Sequence, residues 1–136
     1  LVDDLVDLFL GVDRRAAHRV HEARDALSGT APFAVRIVGV DLFEVPTSGS
    51  APVVYLAVES PGIDALHARL CERFDPVPRL EGEDFTPHVT VARGGDHALS
   101  AELLEREIEP VTWEVTELLF WDAHRSVPAG RLSLPV

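Results

Sequence analysis

The sequence predicts an α+β fold of two similar lobes, and three observations carry that prediction. Runs rich in β-branched residues, such as residues 33–43 (FAVRIVGVDLF) and 53–58 (VVYLAV), alternate with stretches whose apolar residues recur at helical spacing. A strand–helix–strand pattern occurs twice. The chain has 136 residues, 46% of them apolar, enough for one domain with a real core spanning residues 1–136.

Each element has a local reason. Residues 6–10 (VDLFL) form a short apolar run ended by Gly11 and read as a strand. Asp13 can cap the helix that follows, whose stripe is Ala16, Val20, Ala23 and Leu27. Ser28-Gly29-Thr30 ends it. Residues 33–43 and 53–58 are strands joined by a turn-rich loop (PTSGSAP), a hairpin-length connection. Ser60-Pro61 starts the second helix, with a cap and then proline at the first position. Ile63, Leu66, Leu70 and Phe74 make its buried face. Residues 75–84 (DPVPRLEGED) form a loop that leads to a strand at His88. Ser100 is the expected start of the third helix, with Leu103, Leu104 and Ile108 inward. Residues 111–120 (VTWEVTELLF) read as one strand and residues 131–134 (RLSL) as a short last one.

The repeat is strand, Gly, Asp, helix, Pro, then aromatic-x-Val. Its first copy runs through Gly11, Asp13 and Pro32 to Phe33-Ala34-Val35. Its second runs through Gly94, Asp96 and Pro110 to Trp113-Glu114-Val115. Leu5 to Phe33 is 28 residues and His88 to Trp113 is 25. Such a duplication suggests two lobes about a pseudo-two-fold axis; a chance match between two strand–helix–strand units is the alternative.

Charge narrows the partners. The net charge is −11, with 23 acids against 12 bases; every base is Arg, and Lys, Asn, Gln and Met are absent. This composition resembles that of halophilic proteins, although an acidic protein from a GC-rich genome would look the same. It argues against broad electrostatic gripping of nucleic acid. In molar salt, where the Debye length is about 3 Å, it leaves room for a small site holding one terminal phosphate. Cys71 is the single cysteine, so no internal disulfide is possible, and it reads as a small apolar residue of a helix. No apolar run approaches membrane-spanning length and no signal-peptide pattern occurs, so a cytoplasmic protein is expected. A monomer is the expected state.

The chemistry concentrates in Phe85-Thr86-Pro87-His88-Val89-Thr90-Val91-Ala92-Arg93. On a strand His88 and Thr90 share one face, and Val89 and Val91 are expected to pack into the other. Proline sits at the strand entrance, where a missing donor costs least. His18 and His21 lie on the first helix among Arg14, Arg15, Arg19 and Arg24, a face better read as salt-bridged by Glu22 and Asp25 than as an RNA grip. His67, His97 and His124 read as solvent-exposed, and no set of residues has zinc-ligand spacing.

Pro87-His88-x-Thr90 with Arg93 behind it, the two aromatic-x-Val strands, and Tyr55-Leu56-Ala57-Val58 before a Ser-Pro helix resemble the two-histidine phosphoesterases, the 2′-5′ RNA ligase and cyclic phosphodiesterase family. The resemblance spans about residues 5–135. It implies two pseudo-symmetric antiparallel-sheet lobes with outer helices and a central cleft. It also implies paired His-x-Thr/Ser motifs, one per lobe, working without metal or cofactor. One histidine removes a proton and the other supplies one, while the hydroxyls hold phosphate oxygens. Imidazole suits this because it titrates near neutrality.

The second motif is intact, but the first is not. Leu5-Val6-Asp7 or, one residue earlier, Asp4-Leu5-Val6 stands in its place, without histidine or hydroxyl. Asp4 and Asp7 are weak substitutes, since a carboxylate beside a phosphate anion is electrostatically poor. The strand and helix that precede the first motif in the family have no counterpart in this sequence, as a shortened N-terminus would leave it.

The resemblance therefore assigns His88 as acid/base and Thr90 as the phosphate-holding hydroxyl. Arg93, Tyr55 and Phe85 are candidate substrate contacts: Arg93 for a phosphate, Tyr55 for stacking on a base, Phe85 at the mouth. The plainer readings are a strand histidine satisfied by a carbonyl, a surface ion pair for Arg93 and a core position for Tyr55. The expected partner is an RNA end or nucleotide carrying a 2′,3′-cyclic or 2′-5′ phosphodiester. A relative that binds such ends without turnover, and a structural or partner-binding domain, are the alternatives.

Overall fold

The two β-branched runs form the middle of a four-stranded sheet. The structure, a computed structural model, describes residues 7–8, 16–46, 49–122 and 125–136. The expected Asp13 cap, Asp4, Arg14, Arg15 and His124 lie outside the described residues. In chain order the elements are β1 (Asp7–Leu8), α1 (Ala16–Ala26), β2 (Phe33–Phe43), β3 (Val53–Glu59), α2 (Pro61–Arg73), a 3₁₀ turn (Gly82–Asp84), β4 (His88–Arg93), α3 (His97–Leu104), β5 (Val111–Val115), β6 (Glu117–Asp122) and β7 (Val127–Ser133). One sheet has the order β4-β3-β2-β5 and is antiparallel throughout; the other has the order β1-β6-β7. In the second sheet β6 and β7 are antiparallel and β1 runs parallel to β6. This is the expected α+β class, with one parallel pairing added.

The two aromatic-x-Val signatures pair with each other. Phe33-Ala34-Val35 lies antiparallel to Trp113-Glu114-Val115, with Phe33 opposite Val115 and Val35 opposite Trp113. The two signatures are therefore related by a local two-fold centred on Ala34 and Glu114. The copies diverge around it. The first passes from the three-stranded sheet into the four-stranded one, while the second connects the two edges of the four-stranded sheet.

One apolar cluster joins both sheets. Ala23 and Leu27 of the α1 segment meet Ile63, Leu66 and Leu70 of α2, Val35 and Val115 of one sheet, and Phe120 and Leu132 of the other. Each fully buried leucine contributes about 1.5–3 kcal/mol. The α2 face is the predicted one, and so is its start: Ser60 Oγ accepts from Ile63 N at 3.2 Å and donates to Ala34 O at 2.6 Å, so the cap also ties α2 to β2.

Four expectations about the elements are corrected. The run 111–120 is two strands in different sheets, divided at Thr116, whose carbonyl accepts from Leu134 N at 2.8 Å. Alternation in VTWEV suits a one-sided strand, and the continuous LLF suits one buried on both faces. The last strand is longer than residues 131–134 because an edge strand tolerates Pro128. The third helix is capped by Asp96, whose carboxylate accepts from Ala98 N, and Ser100 lies inside it with its hydroxyl on Asp96 O. Leu103 and Ile108 are half-buried, but Leu104 faces solvent.

Candidate functional site

Strand alternation divides the four-stranded sheet into a core face and an open face. Val35, Val58 and Trp113 pack on the apolar cluster. Register then places His88, Ala57 and Gly39 in one row across the opposite face, and Thr90, Tyr55 and Asp41 in the next. His88 and Thr90 are both exposed there.

Two β-bulges decide what else joins them. In β4, Val54 opposes Ala92 and Tyr55 opposes Thr90, so Val91 is the extra residue. Simple alternation would put Arg93 on the face away from His88. The bulge turns it back, opposite Val53 and onto the open face. In β2, Ile37 opposes Val58 and Gly39 opposes Ala57, so Val38 is the extra residue. That bulge moves Gly39, Asp41 and Phe43 onto the open face. The expectation that Val89 and Val91 are packed is corrected: they are 39% and 53% exposed. β4 is an edge strand, and Val91 is the bulged residue.

The His88 ring is held on two sides. Its Nδ1–H donates to Thr86 O at 2.6 Å. A carbonyl only accepts, so this bond places the proton of the neutral ring on Nδ1 and leaves Nε2 as the basic nitrogen. Phe43 meets the ring edge-on with centroids 5.1 Å apart, and Tyr55 does so at 5.3 Å. The bond to a backbone carbonyl is the one anticipated for a plain strand histidine, but here the residue is exposed and its Nε2 has no hydrogen-bond partner among the described residues.

Tyr55 is a wall of the site. Only 5% of it is exposed, and its ring stacks on Phe43 at 4.2 Å. Burial, then the charge of Asp41 and the hydrogen bond to it, push the phenol up from its usual value, so it stays a neutral donor to Asp41. Phe43, half-buried, is the more exposed of the two aromatic rings against His88. Residue type alone did not single it out, because without the Val38 bulge it belongs to the core face.

Phe85 is not at the mouth. It stacks on His67 of α2 at 3.7 Å and 7°, and packs against the apolar cluster behind the sheet. Arg93 lies beside the loop at Gly49, where an added Cβ would meet its guanidinium nitrogen at 3.2 Å. The row His88–Ala57–Gly39 carries little side chain, and a Cβ at Gly39 would meet no atom of the described residues within 4 Å. Among the described residues the surface beside His88 is therefore an open shelf. His88 is the sole histidine of the four-stranded sheet. Among the described residues no three His, Cys, Asp or Glu side chains form a group that could hold a metal ion, and no helix is long and apolar enough to cross a membrane.

Known proteins share this architecture. No curated protein matches the chain. The sequence model of the 2′-5′ RNA ligase superfamily matches residues 7–126. Among solved structures the chain is similar to the crystal structure of TT0787 of Thermus thermophilus, with a TM-score of 0.56 and 21% identity, over 93% of this chain and 75% of that one. That likeness shows the fold. The family match covers most of the sequence, and the chain belongs to the 2′-5′ RNA ligase superfamily, the two-histidine phosphoesterases.

Proposed function

We propose that this member of the 2′-5′ RNA ligase superfamily acts on the phosphodiester of an RNA end or a nucleotide, of 2′,3′-cyclic or 2′-5′ type, with His88 as its acid/base. The observation that carries this reading is the ring geometry: Nδ1 is committed to Thr86 O, no described residue engages Nε2, and Thr90 stands on the same exposed face. In hydrolysis of a cyclic phosphate, Nε2 takes a proton from water as the water oxygen bonds to phosphorus. The bond from phosphorus to one ribose oxygen breaks, and that oxygen takes its proton from solvent water. The Thr90 hydroxyl donates to a phosphate oxygen, where charge builds up. Arg93 supports the same charge from the strand end. Phe43 offers its ring to the base.

We extend the proposal to a single two-lobed domain over residues 1–136, working as a cytoplasmic monomer without metal or cofactor. The acidic, lysine-free composition fits work in high salt. A second reading, binding without turnover, is favoured by one observation: the residues in the place of the first His-x-Thr motif, Leu5-Val6-Asp7 or Asp4-Leu5-Val6, include neither histidine nor hydroxyl.

The test is hydrolysis of a 2′,3′-cyclic nucleotide in molar potassium chloride by the chain and by His88→Ala. General acid–base groups contribute about 10²–10⁴-fold, so the variant should lose at least a hundredfold in kcat. Equal turnover by both would remove His88 from the chemistry. No turnover by either, with the nucleotide still bound by the unmutated chain, would select the second reading.

A further inference from the structure

The proposed chemistry does not use His67, yet the strand entrance is built around it. We propose that His67 is a positioning residue for His88, holding the segment 82–86 in place through an unprotonated Nε2. The inference rests on the phosphodiester reading only for its kinetic consequences.

The contacts form a short chain. Gly82 N–H donates to His67 Nε2 at 3.0 Å. An amide always carries its proton, so Nε2 must present a lone pair and the ring proton sits on Nδ1. Cys71 Sγ lies 3.3 Å from the same nitrogen. The other side of the hold is the stack on Phe85. The next residue is Thr86, whose carbonyl fixes the His88 tautomer. Gly82 has φ +68°, the left-handed region, so its amide direction depends on this local turn.

Protonation would undo the arrangement. An imidazolium places N–H on Nε2, pointing at Gly82 N–H, and the two donors repel. The charged groups around the ring are few. Burial lowers the His67 pKa from its usual value and outweighs Glu81 from the loop and Asp64 on α2, which both favour the imidazolium. Glu81 is also engaged, accepting from Val77 N at 2.8 Å. Cys71 is the remaining titratable neighbour on α2. Phe85, Thr86 and Pro87 at the β4 entrance bring no charge, Glu83 and Asp84 of the 3₁₀ turn are exposed, and Glu22, reaching α2 from α1, pairs with Arg73.

The experiment is a pH titration of the full chain by ¹⁵N NMR in molar potassium chloride, with His67→Gln and His67→Leu. Gln keeps an acceptor near Nε2 but does not titrate. In the unmutated chain the Gly82 amide and the His88 Nδ1 signal should shift together as His67 protonates, below about pH 6.5. In His67→Gln that shared step should vanish, with kcat/KM at pH 7.5 kept within threefold. His67→Leu should lower kcat/KM about tenfold and speed Gly82 amide exchange; if it fails to fold, His67→Gln decides alone. Protonation of His67 that leaves Gly82 and His88 unmoved would overturn the proposal, as would a shared step that persists in His67→Gln. The NMR readout needs no turnover. A chain that shows the linked titration but hydrolyses nothing would count against the phosphodiesterase reading and not against the role of His67.

Discussion

Gly39→Val separates the shelf beside His88 from the stability of the sheet. Gly39 is in a strand interior, its backbone is not left-handed, and a Cβ there would touch no atom of the described residues within 4 Å. Glycine at such a place costs roughly 0.5–1 kcal/mol against alanine, and valine suits a strand better still. The variant should therefore be more stable by about 1 kcal/mol, raising Tm by about 3–5 °C for a domain of this size. Function should move the other way. Gly39 lies two strands from His88, about 9.6 Å at the usual strand spacing, within the span of a nucleoside whose phosphate sits at Nε2. Displacing it from roughly 50 Å² of floor at 25 cal/mol per Å² costs about 1.3 kcal/mol, close to tenfold in binding. The assay is thermal unfolding beside steady-state hydrolysis of the cyclic nucleotide, with KM and kcat separated. KM should rise about tenfold while kcat changes little. A higher Tm with unchanged KM would mean that no substrate lies along the row His88–Ala57–Gly39. A lower Tm would mean that the shelf is not open.

Two further predictions concern the scaffold. Gly62→Ala adds a Cβ that would overlap the Phe33 ring and Cβ. The helix-propensity gain of up to about 1 kcal/mol is smaller than the usual overpacking cost of about 1–3 kcal/mol, so the variant should lose about 1 kcal/mol in urea unfolding, and a gain would refute the close packing of α2 on β2. Stability should also fall on acidification through His67. Its folded pKa lies below the unfolded value, so its contribution is fully present above about pH 6.5 and is lost as pH falls through the folded pKa. The fall should shrink in His67→Gln, and an unchanged acid limb would contradict the burial of His67.

Much of this was legible in residue order, and the exceptions have physical causes. The helix α2, its Ser60 cap and strand β2 follow from local pattern and were placed by it. Bulges are different. Nothing in FAVRIVGVDLF marks Val38 as an extra residue, yet that residue decides that Asp41 and Phe43 face the site. Val91 does the same for Arg93, and its exposure is why β4 is less buried than its alternation implied. Tyr55 and Phe85 are aromatic residues close in sequence or register to His88, and residue type does not distinguish a wall of the site from a contact behind the sheet. The division at Thr116 was hidden because two strands of similar composition abut with one residue between them.

The most direct test of the site is the imidazole spectrum of His88 with a bound nucleotide 2′-monophosphate, read by ¹⁵N NMR in molar potassium chloride. Nδ1 should stay protonated against Thr86 O while Nε2 shifts on binding, with the response weakened about tenfold by Thr90→Val, in keeping with a hydrogen bond to a charged group. A nucleotide that binds while the Nε2 signal does not move would place the phosphate elsewhere and remove His88 from the site.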